Sequence, residues 1–119
     1  MIMRVTWGKI KPGQWDRFEQ LWNQHAQETT PSEGLLARWL LRDGAQQDAG
    51  YALSLWQSAA AFEAYERDRP RYPDMEECFV GQYVTTPCEV RGAEVAQLLS
   101  QSSMPADWGQ FTDRGEPTA

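Results

Sequence analysis

The chain has 119 residues, 41% of them hydrophobic, with six tryptophans and a formal net charge of −6. This is the length of one ordinary domain, able to bury about two-thirds of its unfolded surface without staples. The negative balance argues against the basic footprint of a nucleic-acid binder and against docking on anionic membranes, and no apolar run is long enough for a transmembrane helix.

Met1–Ile10 alternates Ile2, Arg4, Thr6 against Met3, Val5, Trp7, which predicts a strand. Lys11-Pro12-Gly13 ends it, because proline cannot donate a ladder bond and glycine accepts a turn. A helix is predicted over Gln14–Glu28, with Trp15, Phe18, Leu21, Trp22 and His25 on one stripe. Leu35–Asp43 is short and apolar enough for a strand, and Gly44–Gly50 reads as a hairpin loop. Tyr51–Gln57 is the third strand, and Ser58 is suited to cap a second helix over Ala59–Arg67. The prolines of Arg69–Asp74 break that helix. The acidic run Asp74–Glu77 is expected as a solvated loop. A fourth strand is expected over Phe79–Thr86, ending before Pro87.

Strand–helix–strand thus occurs twice. The result is an α+β fold, the ferredoxin-like βαββαβ plan with an antiparallel sheet. The expected domain covers 1–92. Residues 93–119 form a C-terminal extension, a short helix over Ala93–Ser100 and then a tail, loose or docked on a partner, in which Trp108 and Phe111 stand out.

The N-terminus lacks a signal peptide's apolar run and cleavage site, so the cytoplasm is the expected location. Reduced thiols are then expected at Cys78 and Cys88, with a disulfide between them left open. One histidine and two cysteines are a poor metal set, and no metal site is predicted. No glycine motif for a phosphate, flavin or nicotinamide is present, so no cofactor is implied.

The stretches RVTWGKIKPGQWDRFEQLW, GLLARWLLRD and ALSLWQSAAAFEAYERD resemble the antibiotic biosynthesis monooxygenase domain, of the dimeric α+β barrel superfamily. The resemblance covers about Met1–Gly92. It implies a homodimer in which two sheets pack face to face and helices cover the outside. The residues agree: the third strand is apolar on both faces, and a sheet of that kind needs two covers.

The resemblance also implies a ligand pocket between helices and sheet for a small aromatic ligand. Side-chain parity makes Ala52, Ser54 and Trp56 its face, because small residues beside a large aromatic leave a flat-walled cavity. Arg4 and Thr6 follow from strand one. Trp22 and His25 are candidates from the first helix, Phe62 and Tyr65 from the second, with Tyr72 and Tyr83 as additions. Each has a plainer alternative: Trp22 and Trp56 suit a core, His25 a packed hydrogen-bonding role, and Arg4 and Arg38 an edge or an interface ion pair.

Haem-degrading members of this family carry an Asn on strand one, a Trp in helix two and a His just after it as the iron ligand. Here Arg4, Tyr65 and a His-free stretch around Asp74–Cys78 take those places, so haem degradation is not expected. Quinone-forming members oxidise phenolic polyketides with O2 and no cofactor. Their Trp at the end of strand three is matched by Trp56, while an Asn on that strand is replaced by Ala52 and a helix-two Tyr by Phe62. The favoured expectation is a cofactor-independent monooxygenase for a small phenolic substrate, with His25 and then Tyr65 as the proton relay. The alternatives are a non-catalytic hydrophobic-ligand or structural dimer protein, and an aromatic isomerase or cyclase using the same pocket.

Overall fold

The computed structural model describes residues 1–94 and 96. Four strands form one antiparallel sheet in the order β2-β3-β1-β4, the ferredoxin-like arrangement. They are β1 (Ile2–Lys9), β2 (Leu35–Arg42), β3 (Ala49–Trp56) and β4 (Val84–Glu89), and the helices are α1 (Trp15–Glu28), α2 (Ala59–Asp68) and α3 (Pro73–Glu76). Ser58 caps α2 as its sequence predicts, accepting from the Ala61 amide at 3.1 Å. Cys78 is buried, Cys88 is exposed, and both thiols are free. The expected helix over Ala93–Ser100 and the tail behind it lie largely outside the described residues.

Three local expectations need correction. First, β3 begins at Ala49 rather than Tyr51. Ala49 and Gly50 pair with Lys9 and Gly8 of β1 and are buried, so packing rather than propensity recruits them to the strand. A Cβ on Gly50 would lie 2.2 Å from the Leu41 carbonyl and 2.7 Å from the Trp15 ring. Gly50→Ala is therefore expected to cost about 1–3 kcal/mol by overpacking, read as a lower urea midpoint with unchanged slope.

Second, the last strand starts later and runs through Pro87. Phe79 makes only an isolated bridge with Ile10, and Gly81 then turns the chain at a φ of +70°. Pro87 is tolerated because β4 is an edge strand, where a residue without an N–H can face away from the ladder.

Third, Asp74–Glu77 is not a solvated loop. Pro73 opens α3, a place where proline's fixed φ and missing N–H cost nothing. The short helix carries Asp74 and Met75 back toward α1.

Register places Arg38, Ser54 and Arg4 on one rung, and Leu40, Ala52 and Thr6 on the next. These residues face the helices. The core lies at one end of that layer, where Ile10, Trp15, Phe18 and Cys78 are buried with Leu21, Leu40, Met75 and Phe79 packed around them. The opposite face carries Met3, Val5, Trp7, Trp39, Leu41, Tyr51, Leu53 and Leu55 by the same register. Leu41 and Tyr51 on it are 41% and 38% exposed.

Candidate functional site

Between the helices and the sheet, beyond the core, the fold leaves a half-open cavity of about 160 Å³. An engineered cavity of about 150 Å³ holds benzene, so this space takes one or two aromatic rings, with room at the mouth for more. Its floor is Thr6, Ala52 and Ser54, and its sides include Trp22, His25 and Tyr65. Ala52 is small, and the space above it persists because nothing bulky rises from the middle of β3.

Of the residues singled out in the sequence, Arg4, Trp22, His25, Ala52, Ser54, Trp56, Tyr65, Tyr72 and Tyr83 all border this cavity. Phe62 does not. It is half-buried on α2, one turn nearer the Ser58 cap than Tyr65, and is not among the residues lining the space; its predicted place in the pocket is corrected.

Trp56 borders the cavity from behind. Only 1% of its surface is exposed, its indole N–H donates to Ser54 Oγ at 3.0 Å, and the Tyr65 ring lies 4.7 Å away. Tyr65 is the more accessible aromatic wall of the two. Arg4 is buried among fixed partners. Its guanidinium pairs with Glu66 through Nε and donates from Nη1 to Thr6 Oγ1 at 3.0 Å. A buried cation requires such a partner, and Glu66 supplies it from α2. This makes Arg4 a strut between sheet and helix as well as a cavity wall.

His25 sits in the last turn of α1 and is fixed on two sides. Its Nε2 lies 3.2 Å from both carboxylate oxygens of Asp74. Its ring stacks on Tyr72 with centroids 4.1 Å apart, and the Tyr72 hydroxyl is in turn 3.2 Å from Thr29 Oγ1. With Nε2 engaged by Asp74, Nδ1 is the ring atom left to take a proton from a ligand. Sequence reading missed Asp74. The two residues are 49 positions apart, and the only local hint was a proline placed to start a helix beside an acid.

Desolvation works against the Asp74 anion, but hydrogen bonds from His25 and from the Met75 amide outweigh it and hold its carboxyl below the ordinary aspartate range. Glu76 is also held low, chiefly by its paired hydrogen bonds from Arg71 at 2.7 and 2.9 Å. The amides of Ala45 and Gln46 do the same for Asp43. Groups with depressed native pKa values bind fewer protons folded than unfolded in the acid range. Their stabilisation is complete above the ordinary carboxylate range and is lost as pH falls through the native values. Denaturant midpoints should therefore drop between about pH 5 and about pH 2, and the drop should be shallower in Asp74→Asn.

Four arginines, Arg4, Arg38, Arg69 and Arg71, line the cavity against one lining carboxylate, Glu76. That cationic lining stands in a chain of net charge −6. Among the described residues no group of His, Cys, Asp and Glu side chains could hold a metal ion, and no helix is long and apolar enough to cross a membrane.

The family model described as antibiotic biosynthesis monooxygenase matches residues 1–71. No curated protein matches the chain. Among solved structures, the haem-degrader MhuD of Mycobacterium tuberculosis, with two haems bound, is similar at 17% identity and a TM-score of 0.64, over 80% of this chain and 100% of that one. SnoaB, a cofactor-independent oxygenase from Streptomyces nogalater, is similar at 15% identity and a TM-score of 0.64, over 77% and 94%. A conserved protein from Methanosarcina mazei is similar at 18% identity and a TM-score of 0.62, over 72% and 88%. At such identities the likeness is one of fold.

Proposed function

This chain belongs to the antibiotic biosynthesis monooxygenase family, and on that premise we propose that it is a cofactor-independent oxygenase of a small phenolic or anthrone-like substrate, working as a cytoplasmic homodimer. One observation carries the reading. A histidine oriented by a carboxylate and an aromatic ring borders a half-open cavity sized for fused rings.

The chemistry asks little of the protein beyond binding, orientation and one proton relay. His25 Nδ1 takes a proton from the electron-rich substrate, and Asp74 stabilises the imidazolium that forms. The substrate anion gives one electron to O2. The carbon radical and superoxide combine to a peroxide, which takes back the proton from His25. Loss of water then leaves the carbonyl of a quinone. One substrate CH2 and one O2 become one C=O and one H2O. Tyr65 is the second candidate for the relay, and Trp22 and Tyr65 would flank the flat substrate.

A haem fits these residues poorly. The sole histidine presents Nε2 to Asp74, which leaves no free Nε2 to serve as an iron ligand. The dimer would form through the free sheet face, where Trp7, Trp39, Leu41 and Tyr51 make an apolar layer at least partly open to solvent, a surface that monomers seldom leave uncovered.

The test is O2 uptake with anthrone-type substrates, in air and under argon, with quinone absorbance followed in parallel. Equal moles of O2 consumed and quinone formed, above the uncatalysed rate, support the reading. Turnover that persists under argon would replace it with an isomerase or cyclase.

A further inference from the structure

We infer that the substrate of this cavity carries a carboxylate, and that Arg38 is the residue that selects for it. The inference rests on the cavity being the substrate site, and adds the chemical class of what enters it.

Three of the four lining arginines are already engaged. Arg4 is committed to Glu66 and Thr6. Arg71 makes a two-point bond with Glu76. Arg69 lies 3.8 Å from Glu66 and donates to the Tyr83 hydroxyl at 3.5 Å. Arg38 differs: among the described residues, no carboxylate lies within ion-pair distance of it. It is nevertheless half-buried and borders the cavity. Withdrawing a cation from water without a partner is costly, and a chain with 17 acidic residues against 11 basic ones has no shortage of partners to offer. The guanidinium is left for something that arrives.

Position specifies the ligand further. Arg38 and Arg4 flank Ser54 on one rung of the sheet. β2 is an edge strand, so Arg38 stands at the border of the cavity and Arg4 deeper in the sheet. A planar ligand would put its rings beside Trp22 and Tyr65 and its anionic end at the β2 edge. Unpaired among the described residues, the Arg38 guanidinium, with its planar fork of donors, matches one carboxylate in a two-point bond. A more highly charged phosphate would call for more than one uncommitted cation.

The test is calorimetric titration, under argon at neutral pH, of 2-naphthoate and of uncharged 2-naphthol into the full-length protein. Wild type, Arg38→Gln and Arg38→Lys are compared, with melting curves confirming that each is folded. A charge-assisted pair should favour naphthoate by about 10-fold to about 100-fold. Arg38→Gln should erase that preference while leaving naphthol affinity unchanged, and Arg38→Lys should keep part of it. The naphthoate preference should also weaken with added salt. Equal affinity for the two compounds in wild type, or a preference that survives Arg38→Gln, overturns the carboxylate inference while leaving an aromatic pocket intact. Binding of neither compound overturns the substrate-site reading together with this inference.

Discussion

His25→Ala is expected to lower O2-dependent turnover by about 10²- to about 10⁴-fold, the usual worth of a positioned acid–base group, with little change in stability. The two effects separate because of where His25 sits. Its side chain is 22% exposed and its partner Asp74 41% exposed, so solvent screens the pair and its loss costs little stability. The ring's contribution to rate is different in kind. Nothing else on α1 can exchange a proton at that place, since Trp22 and Ala26, the neighbours one turn and one residue away, have no proton acceptor. The loss should therefore fall on kcat with KM nearly unchanged. Asp74→Asn is the positioning control. It leaves the imidazole present but removes the charge that holds its tautomer, so its loss in kcat should be smaller than that of His25→Ala and the Tyr72 stacking contact should remain. Parallel loss of fold and activity in His25→Ala would make this histidine a packing residue. An unchanged kcat would move the relay to Tyr65.

The sheet and the two long helices were legible because each carries a repeating signal. β1 and β3 alternate, α1 has a stripe of five residues, and Ser58 announces α2. The same alternation located the cavity floor: once β3 is a strand, Ala52, Ser54 and Trp56 must share a face, and register adds Thr6 and Arg4. What sequence could not supply was contact at long range. Asp74 reaches His25 only because Pro73 starts a helix of four residues, too short to show a period. The shift of β4 past Pro87 depends on its being an edge strand, a property of the assembled sheet. The misplacement of Phe62 has a similar source. Phe62 and Tyr65 lie on one side of α2, but where the cavity stops along that side is set by tertiary packing. Arg38 illustrates the converse. Its place on a strand was visible, but its lack of a carboxylate partner became visible only when the other arginines had been matched with theirs.

Trp56→Ala is expected to be the most damaging single change in the described fold, costing about 3–5 kcal/mol. A domain of this kind has only about 5–15 kcal/mol to lose, so the melting midpoint should fall by on the order of 10 °C or more. The cost has three sources that act together. The indole is 1% exposed, so its removal opens a void in the layer between α2 and the sheet. Tyr65 loses the ring it packs against at 4.7 Å. Ser54 Oγ, itself buried, loses the indole N–H at 3.0 Å, and an orphaned buried hydroxyl adds to the penalty. Trp56→Phe should recover most of the packing but not the hydrogen bond, and so fall between the two. Urea melts of the three proteins give these differences directly. The same residue ends β3 where Leu35 of β2 and Ile2 of β1 meet it in register, so damage there reaches three strands. If Trp56→Ala instead costs under about 1 kcal/mol, the surrounding wall must close over the gap. In that case the cavity would have an adaptable rather than a rigid boundary, and a tight fit to one substrate shape would lose its structural basis.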